Sequence, residues 1–522
     1  MNRARGIDRI KSETLPWDIV IIGGGATGLG CALDSVSRGY RTLLLEQADF
    51  SNGTSSRSTK LIHGGVRYLR QGNVSLVKES LAERGWLLNH VPHLVTPQPF
   101  LIPTYSWAET WYYRVGLWMY DRLAGSLGIH SSKKCNKGEA LAQVPTLRSD
   151  TLAGGVVYWD GQFDDARLCM QTVKTIWRRG HVALNHMQVT DLVKEGGRVC
   201  GVKVHDKVSD ETLSIHARVV IHATGIFSDT IREQDTPNVK PIIRSSRGSH
   251  LVVDGDFLPN GTAVMVPKTS DGRLLFLVPW LNKVIIGTTD VPDDNLCLEP
   301  KPTDEEIDFM LENAAPYLNR PIERKDIRSV YSGLRPLVRD PQKQGDTSAL
   351  SRNHVIEVSP SGLITIAGGK WTTFRKMGED AINKAIEVGQ LAERASRSMT
   401  TRYSAYDEDL PKEPTQFGQF GIDARHLRTM ISWKPKLGDT IHERLPYTWA
   451  EVLWAIENEL VESVDDVLAR RTRALLLDAQ AAMDAAPAVA RFMAKEMGRD
   501  ENWVASSVDS FIEIAKNYIP KS

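Results

Sequence analysis

The feature that most constrains the fold is a cluster of glycines near the amino terminus, placed directly after a short apolar segment. Asp18–Ile22 is rich in β-branched residues and predicts a buried strand, and Gly23, Gly25 and Gly28 follow it at the spacing Gly-x-Gly-x-x-Gly. The small and apolar residues after these glycines predict a helix, and Thr42–Glu46 predicts a second strand. This order of strand, glycine turn, helix and strand is typical of a βαβ unit that binds a dinucleotide.

Each residue of this turn has a mechanical reason to be there. Gly23 permits a sharp exit from the strand, Gly25 lets the backbone approach a pyrophosphate, and Gly28 lets the helix pack closely on the sheet. The helix start offers unpaired N–H groups and a positive dipole to phosphates. Glu46, 18 positions after Gly28, is placed to accept hydrogen bonds from a ribose hydroxyl. We predict that these residues and Gly24 contact a dinucleotide without a 2′-phosphate; an ordinary turn is the alternative.

Other segments predict further walls of the same site. Ser51–Leu69 is dense in hydroxyls and glycines, which supply donors to phosphate and ring heteroatoms but also favour solvated loops. One strand ends in Ala223–Gly225, where bulk would collide with a bound cofactor, and another enters the pair Gly368–Gly369 ahead of a helix. Parallel βα units thus alternate with antiparallel stretches along residues 18–385, which predicts two interleaved parts.

Composition excludes several classes of protein. The 522 residues carry 64 Lys+Arg and 64 Asp+Glu, so no overall charge attracts nucleic acid, and we expect no nucleic-acid partner. Five scattered cysteines without a Cys-x-x-Cys spacing indicate reduced thiols of a cytoplasmic protein, with no disulfide framework and no metal site. No apolar run reaches about 18 residues, so we expect no membrane span.

Several motifs occur in a fixed order within residues 17–400, and the resemblance that they indicate resumes in Leu445–Leu475. They are the glycine fingerprint, Ser56–Leu69, Asp164–Arg167, Gly248–His250, Ile286–Asp290, Tyr331–Leu337 and Gly368–Thr373. Together they resemble the FAD-dependent glycerol-3-phosphate dehydrogenases of the D-amino-acid oxidase superfamily. The fingerprint alone belongs to very many enzymes, whereas the ordered set is specific.

The resemblance implies a fold of class α/β. It consists of a Rossmann-like FAD-binding domain interleaved with an antiparallel-sheet substrate domain, followed by an α-helical C-terminal domain. We place the oxidoreductase body at residues 17–396, a linker and lead-in at 397–446, and the helical domain at 447–522. A homodimer is compatible with the sequence.

The resemblance also implies a reaction. The expected substrate is sn-glycerol 3-phosphate, which loses a hydride from C2 to FAD and becomes dihydroxyacetone phosphate, and the electrons then pass to a membrane quinone. Outside the glycine turn, the expected FAD contacts are Thr54, Ser55, Lys60, His63, Gly65, Gly225 and Gly369.

The substrate's phosphate needs cations and donors, because it is a dianion at neutral pH. Lys370 and Thr372, at a glycine-flanked helix start, together with Arg67 and Tyr68, meet that need. A solvated charge is the alternative for Lys370.

Two further residues are candidates for the chemistry at C2. We expect Arg335 to clamp substrate oxygens near the flavin; a role in capping a strand or pairing with a surface carboxylate is the alternative. His250 is the candidate base for the C2 hydroxyl proton, since imidazole titrates near ~6.5, and a structural histidine is the alternative.

For two regions the sequence allows more than one interpretation of what they contact. Trp107–Lys134 mixes aromatic and basic residues, as in a surface lying on a membrane, although the same stripe occurs in a buried core. Peripheral contact would put the protein on the cytoplasmic face of the inner membrane. The basic cluster Arg470–Arg473 is interpreted as a solvated helix face or as a salt-bridged contact with the main body.

Other functions remain open at this level. The same body could be an oxidase that reduces O₂, or a sister amine oxidase in which Arg335 binds a carboxylate, although Lys370 beside it favours a phosphate. A flavin-holding interaction protein without turnover is a further hypothesis from a different class.

Overall fold

The computed structural model describes residues 1–65, 73–339, 354–406 and 417–520. In chain order its strands are β1 (Trp17–Ile22), β2 (Thr42–Leu45), β3 (Leu61–Ile62), β4 (Val95–Thr104), β5 (Lys133–Asn136), β6 (Gly154–Phe163), β7 (Val182–Leu184), β8 (Met187–Glu195), β9 (Arg198–Asp206), β10 (Glu211–His222), β11 (Ile243–Asp254), β12 (Ala263–Val266), β13 (Leu275–Trp280), β14 (Lys283–Gly287), β15 (Val291–Pro292), β16 (Ile327–Val338), β17 (His354–Val358) and β18 (Ile364–Gly368).

The helices frame these strands and dominate the carboxyl-terminal region. They are α1 (Arg3–Ser12), α2 (Ala26–Ser37), α3 (Val74–His90), α4 (Trp107–Ala124), α5 (Lys137–Gln143), α6 (Asp165–Arg178), α7 (Ser228–Asp235), α8 (Asp304–Ala314), α9 (Phe374–Gly389), α10 (Ala424–Trp433), α11 (Trp449–Asn458), α12 (Ala474–Leu477), α13 (Ala479–Met497) and α14 (Glu501–Ala515), with a π-helix at Asp466–Arg471 between α11 and α12.

The first sheet contains the predicted βαβ unit. Its strand order is β17-β18-β10-β1-β2-β7, and the strands from β18 to β7 are parallel. Ile19, Val20 and Ile21 of β1 are fully buried, as expected for a parallel strand covered on both faces. The predicted strand, glycine turn, helix and strand are therefore confirmed.

The helices α2 and α9 come very close to one another at their amino-terminal ends. A Cβ on Gly30 of α2 would lie 2.2 Å from the carbonyl oxygen of Phe374, and one on Gly378 of α9 would lie 2.2 Å from the carbonyl oxygen of Gly30. The two helices therefore begin side by side, which brings the segment before α9 to the same edge of the sheet as the glycine turn.

The second sheet is largely antiparallel and alternates with the first along the chain. Its order is β15-β11-β14-β13-β12-β4-β6-β3, with β16 paired to β11 and β5 paired to β6. Its strands β12, β13 and β14 pair in succession as an antiparallel meander. This confirms the α/β fold class with an interleaved antiparallel sheet and carboxyl-terminal helices.

The carboxyl-terminal helices cover one face of the second sheet. Val252, Trp280, Ile285 and Tyr331 of that sheet share a hydrophobic core with residues from Ile441 to Tyr518. The segment 397–446 differs from the expected linker, because its described residues include the ten-residue helix α10. The three-part division of the chain remains a prediction.

The interpretation of Arg470–Arg473 as a solvated helix face is wrong. Arg470, Arg471 and Arg473 are 3%, 4% and 1% exposed. They form ion pairs with Asp49 and Asp165 of the main body. The alternative of a salt-bridged contact is therefore confirmed, because a buried guanidinium is retained only where carboxylates and carbonyls replace water.

A second buried ion pair joins α6 to the end of α11. Arg167 donates two hydrogen bonds to Glu459, of 2.7 and 2.9 Å. Burial acts to raise the pKa of Glu459, but Arg167 and Lys174 outweigh it and lower the pKa to about 2.

This pair predicts a specific acid dependence of stability. The folded pKa of Glu459 lies below its unfolded value of about 4.3, so its contribution is present above that value and is lost as the pH falls towards 2. Between these values we expect the free energy of unfolding to fall by about 3 kcal/mol more in the wild type than in Glu459→Gln. Glu211→Gln, which removes the exposed pair with Lys11, is the control for denaturant unfolding at each pH. Parallel pH profiles of wild type and Glu459→Gln would contradict the assignment.

Candidate active site

Residues of both sheets line a cavity of about 540 Å³. One wall comes from the glycine turn, the loop after β2 and the end of β10. Another comes from the end of β18 and the segment that leads into α9, and strands of the second sheet supply a third. Parallel strands of the first sheet thus present their carboxyl ends to the cavity, which is where such sheets bind ligands.

The glycine turn has the geometry that its sequence predicts. Gly23 has φ +110°, and a Cβ there would lie 2.5 Å from the carbonyl oxygen of Ala223. A Cβ on Gly28 would lie 1.9 Å from the carbonyl oxygen of Gly23. Gly25 caps α2 and lines the cavity. Gly28 therefore acts from behind the wall by allowing helix and turn to touch.

Glu46 stands at the end of β2 and lines the cavity. Its carboxylate accepts hydrogen bonds from the backbone N–H groups of Gly24 at 2.6 Å and Ala48 at 2.9 Å. Burial raises the pKa of this carboxyl, and the two backbone donors oppose that rise. These bonds fix the carboxylate at the rim of the glycine turn, where the predicted ribose contact would be made.

The structure brings most of the other predicted cofactor residues to the same cavity. Its lining includes Thr54, Ser55, His63, Gly65, Gly225 and Gly369. The Ser55 hydroxyl accepts a hydrogen bond of 2.9 Å from the N–H of Ala26, which ties the loop to the start of α2. Thr54 donates to the carbonyl of Leu334 at 2.5 Å and ties it to the second sheet.

Lys60 does not line the cavity. Its ammonium is fully buried behind the wall and is bonded to Asp165 at 2.7 Å and to the carbonyl of Ser56 at 2.6 Å. Burial lowers the pKa of Lys60 to about 7, against the pull of Asp165. Lys60 therefore has a structural role in place of the predicted cofactor contact, because its buried ammonium is bound to protein groups behind the wall.

Trp371 also lines the cavity, although the sequence pattern assigns it no role. The indole N–H donates to the carbonyl of Ser55 at 2.8 Å, and the ring packs edge-on against Phe163 and Phe374 while lining the cavity. The sequence feature that could have predicted this role is the position of Trp371 between the glycine pair and α9.

The predicted substrate cation Lys370 also borders the cavity. Its ammonium lies 3.3 Å from the hydroxyl of Ser80, and Thr372 is oriented towards the carbonyl of His63 at 3.4 Å. Lys370 is half-buried, so the alternative of a freely solvated charge does not describe it. Arg67 and Tyr68 lie outside the described residues.

Arg335 reaches the cavity from β16. Its guanidinium donates to the hydroxyl of Thr288 at 2.9 Å and to the carbonyl of Thr289 at 3.1 Å, and pairs with Asp290 at 3.3 Å. Asp290 is 5% exposed, so the alternative of pairing with a surface carboxylate does not hold. The sequence contains the motif Ile286–Asp290, but only the fold shows that this motif anchors Arg335.

His250 lies beneath the same wall and lines the cavity. Its ring stacks on Tyr331 with centroids 4.6 Å apart, and Nε2 is hydrogen-bonded to the Thr59 hydroxyl at 2.9 Å. Its Nδ1 is buried and has no hydrogen-bond partner among the described residues. Burial, reinforced by Arg335 and Lys60, lowers the pKa of His250 well below 6.5, so the imidazole is neutral at pH 7.

Comparison with known proteins gives consistent matches. A family model described as FAD dependent oxidoreductase matches residues 18–375, and one described as the C-terminal domain of alpha-glycerophosphate oxidase matches residues 383–503. The mitochondrial glycerol-3-phosphate dehydrogenase of Bos taurus is 41% identical over 97% of this chain and 74% of its own length.

Solved structures agree with the fold. The glycerol-3-phosphate dehydrogenase of Bacillus halodurans, complexed with FAD, has a TM-score of 0.78 at 29% identity, covering 99% of this chain and 98% of that chain. The L-alpha-glycerophosphate oxidase of Mycoplasma pneumoniae, with FAD bound, has a TM-score of 0.56 at 15% identity, covering 74% of this chain and 97% of its own, and so shows the shared fold alone.

Proposed function

We propose a function from the premise that this chain belongs to the FAD-dependent oxidoreductases and, among them, to the glycerol-3-phosphate dehydrogenases. Its cavity oxidises sn-glycerol 3-phosphate to dihydroxyacetone phosphate. A membrane quinone then takes the electrons. The roles that we assign to residues depend on one observation. A single cavity has the glycine turn on one wall and Lys370, Arg335 and His250 on the others.

The residues present fit FAD. Any side chain at Gly23 or Gly28 would collide with backbone, so both positions keep the turn open for a pyrophosphate at the start of α2. Gly25 and Ser55 would contact the diphosphate region, and Glu46 the ribose. When bound, the flavin supplies the acceptor for the hydride from C2.

The protein's own groups supply grip and proton acceptance. Lys370 and Thr372 would bind the phosphate together with Arg67 and Tyr68. Arg335, held in place by Thr288 and Asp290, would orient the oxygens at C1 and C2. The neutral imidazole of His250 would take the proton of the C2 hydroxyl.

Removal of the ammonium at Lys370 tests the phosphate assignment. A charge-assisted hydrogen bond is worth about 1.5–3 kcal/mol, so Lys370→Ala should raise KM for glycerol 3-phosphate about 10- to 150-fold. The flavin content should stay at the wild-type level. Lys376→Ala, on the outer side of α9 and paired with Asp380, is the control for steady-state assays. An unchanged KM in Lys370→Ala would remove the residue from the phosphate site.

The surface of α4 supports the proposal that a membrane quinone is the electron acceptor. Trp107, Trp111, Tyr112, Trp118 and Met119 are between 45% and 71% exposed. The alternative of a buried core is thus wrong for this face, whereas Leu117 and Tyr120 on the opposite face are buried. Lys134 and Arg122 lie over Trp111 and Trp118 at 5.8 and 5.2 Å, so cations and aromatic rings share one surface.

Such a surface suits a bilayer interface, where a quinone could approach the protein. Within the described residues, no helix combines the length and the apolar character that crossing a membrane requires. We propose that α4 brings the protein to the cytoplasmic face of the inner membrane.

Sedimentation with vesicles tests this surface. The double variant Trp111→Ser/Trp118→Ser should bind vesicles of anionic and zwitterionic lipid about 10-fold more weakly than the wild type, because two large rings lose their interfacial burial. Trp433→Ser, at the end of α10, removes an 82% exposed tryptophan outside α4 and is the matched control. Equal binding by all three proteins, or no binding by any, would rule out α4 as the contact.

The function itself is tested by the colour of the protein. Anaerobic addition of glycerol 3-phosphate should bleach the bound flavin, whereas a flavin-holding protein without turnover would stay yellow.

The match of residues 383–503 to an oxidase C-terminal domain supports a second candidate function, an oxidase that reduces O₂. An oxygen electrode separates the two, since only the oxidase consumes O₂ without added quinone. The homodimer remains a prediction.

A further inference from the structure

Three buried arginines of the carboxyl-terminal helical region contact the loop between β2 and β3. Arg470 and Arg471 end the π-helix, and Arg473 immediately precedes α12. These residues lie far along the chain from the glycine turn, and nothing in the proposed reaction uses them.

Two of the three converge on one carboxylate. Arg471 donates two hydrogen bonds to Asp49, of 2.7 and 2.8 Å, and Arg470 donates a third, of 2.6 Å. Arg470 also reaches the side-chain oxygen of Asn52 at 3.3 Å. Asp49 is 1% exposed, so these bonds are made out of contact with water.

The third arginine holds the other end of the same loop. Arg473 donates to the carbonyl of Ser56 at 2.8 Å and to Asp165 at 3.1 Å. Arg57, the next residue along, pairs with Glu299, and Tyr518 donates to that carboxylate at 3.0 Å. The carboxyl-terminal region therefore fixes the loop at Asp49 and at Ser56.

Five of the six residues between these two points line the cavity. They are Ser51, Asn52, Gly53, Thr54 and Ser55. A loop of small and hydroxyl-bearing residues has many conformations, and ordering it on binding would reduce affinity. A loop already fixed by bidentate guanidinium contacts loses less entropy when the cofactor arrives.

We propose that Arg470, Arg471 and Arg473 are positioning residues that hold the 49–56 loop in its cofactor-binding conformation, so that FAD affinity depends on the carboxyl-terminal helical domain. This rests on the proposed binding of FAD in the cavity. Because coupling between two sites is reciprocal, bound FAD also stabilises the segment that carries the arginines.

The first test measures FAD affinity by equilibrium dialysis of the full chain. Arg471→Met should raise the Kd of FAD about 10-fold, within the range usual for coupled sites. Arg471→Lys keeps the charge but cannot make both bonds to Asp49, and should give an intermediate increase. Arg38→Met removes an equally buried arginine, paired with Asp34 at the far end of α2, and is the control. If Arg471→Met does not fold, Arg471→Lys decides.

A second measurement separates positioning from general loss of stability. In the wild type, FAD should raise hydrogen-exchange protection in residues 466–477 and leave α5 unchanged, and the effect should be reduced in Arg471→Lys. A Kd within twofold of wild type in the Arg471 variants, or no effect of FAD on residues 466–477, would overturn the proposal. A wild type that does not bind FAD would instead overturn the proposed function.

Discussion

Gly28→Ala is expected to yield protein that retains little or no FAD. The new methyl group would lie 1.9 Å from the carbonyl oxygen of Gly23, a distance that requires backbone to move. Overpacking of this kind costs about 1–3 kcal/mol or more, and here it would displace the turn and the start of α2, where we propose that the diphosphate binds. The expected result is FAD binding weakened by about 100-fold, measured as flavin absorbance per protein and as the Kd of added FAD.

A second glycine provides the control for this change. Gly116, inside α4, has open space around its Cα, so Gly116→Ala adds the same methyl group to a helix without a collision. It should keep wild-type flavin content. Full flavin content in Gly28→Ala would mean that α2 can retreat from the turn, and would refute the mechanical role of the glycine.

The second large effect is expected at His250. His250→Ala should slow flavin reduction by glycerol 3-phosphate about 100-fold or more, because a positioned base contributes about 10²–10⁴-fold to such a step. Stopped-flow absorbance under anaerobic single-turnover conditions measures this rate. Tyr331→Phe keeps the ring that stacks on His250 and removes only the hydroxyl bonded to Ser58, so it should reduce flavin at a rate close to wild type.

The pH dependence gives an independent check on His250. Its pKa lies well below 6.5, since burial disfavours the charged ring, so the base should stay deprotonated and the rate constant should not fall between pH 8 and pH 6. His63 also lines the cavity. If His63→Ala slowed flavin reduction while His250→Ala did not, the base would have to be reassigned.

The local signals in the sequence predicted the cofactor half of the site well. A β-branched run, a glycine triplet and an acidic residue at the next strand end act through contacts between near neighbours, and β1, α2 and Glu46 lie where these signals put them. The small residues at the end of β10 and before α9 were informative for the same reason, since a backbone that borders a ligand has no room for bulk.

Charges were predicted less well, because the partner of a charge is set by the fold. Lys60 lies in a motif full of cofactor donors, yet Asp165, over a hundred residues away, holds it behind the wall. The cluster of Arg470, Arg471 and Arg473 was interpreted as a solvated helix face. Ion pairs with Asp49 and Asp165 instead hold these side chains in the interior of the protein. The face of α4 that points outward was likewise decided only by what packs against it.

What the sequence by itself determined is the class of fold, the place of the glycine turn and the set of residues available to the chemistry, since these follow from periodicity and from the steric limits of single residues. What only the tertiary structure decided is which charges are neutralised inside the protein and which reach the cavity. The physical reason is that burial of a charge depends on carboxylates and carbonyls brought from distant parts of the chain, and their distances do not exist until the sheets and the carboxyl-terminal helices have packed together.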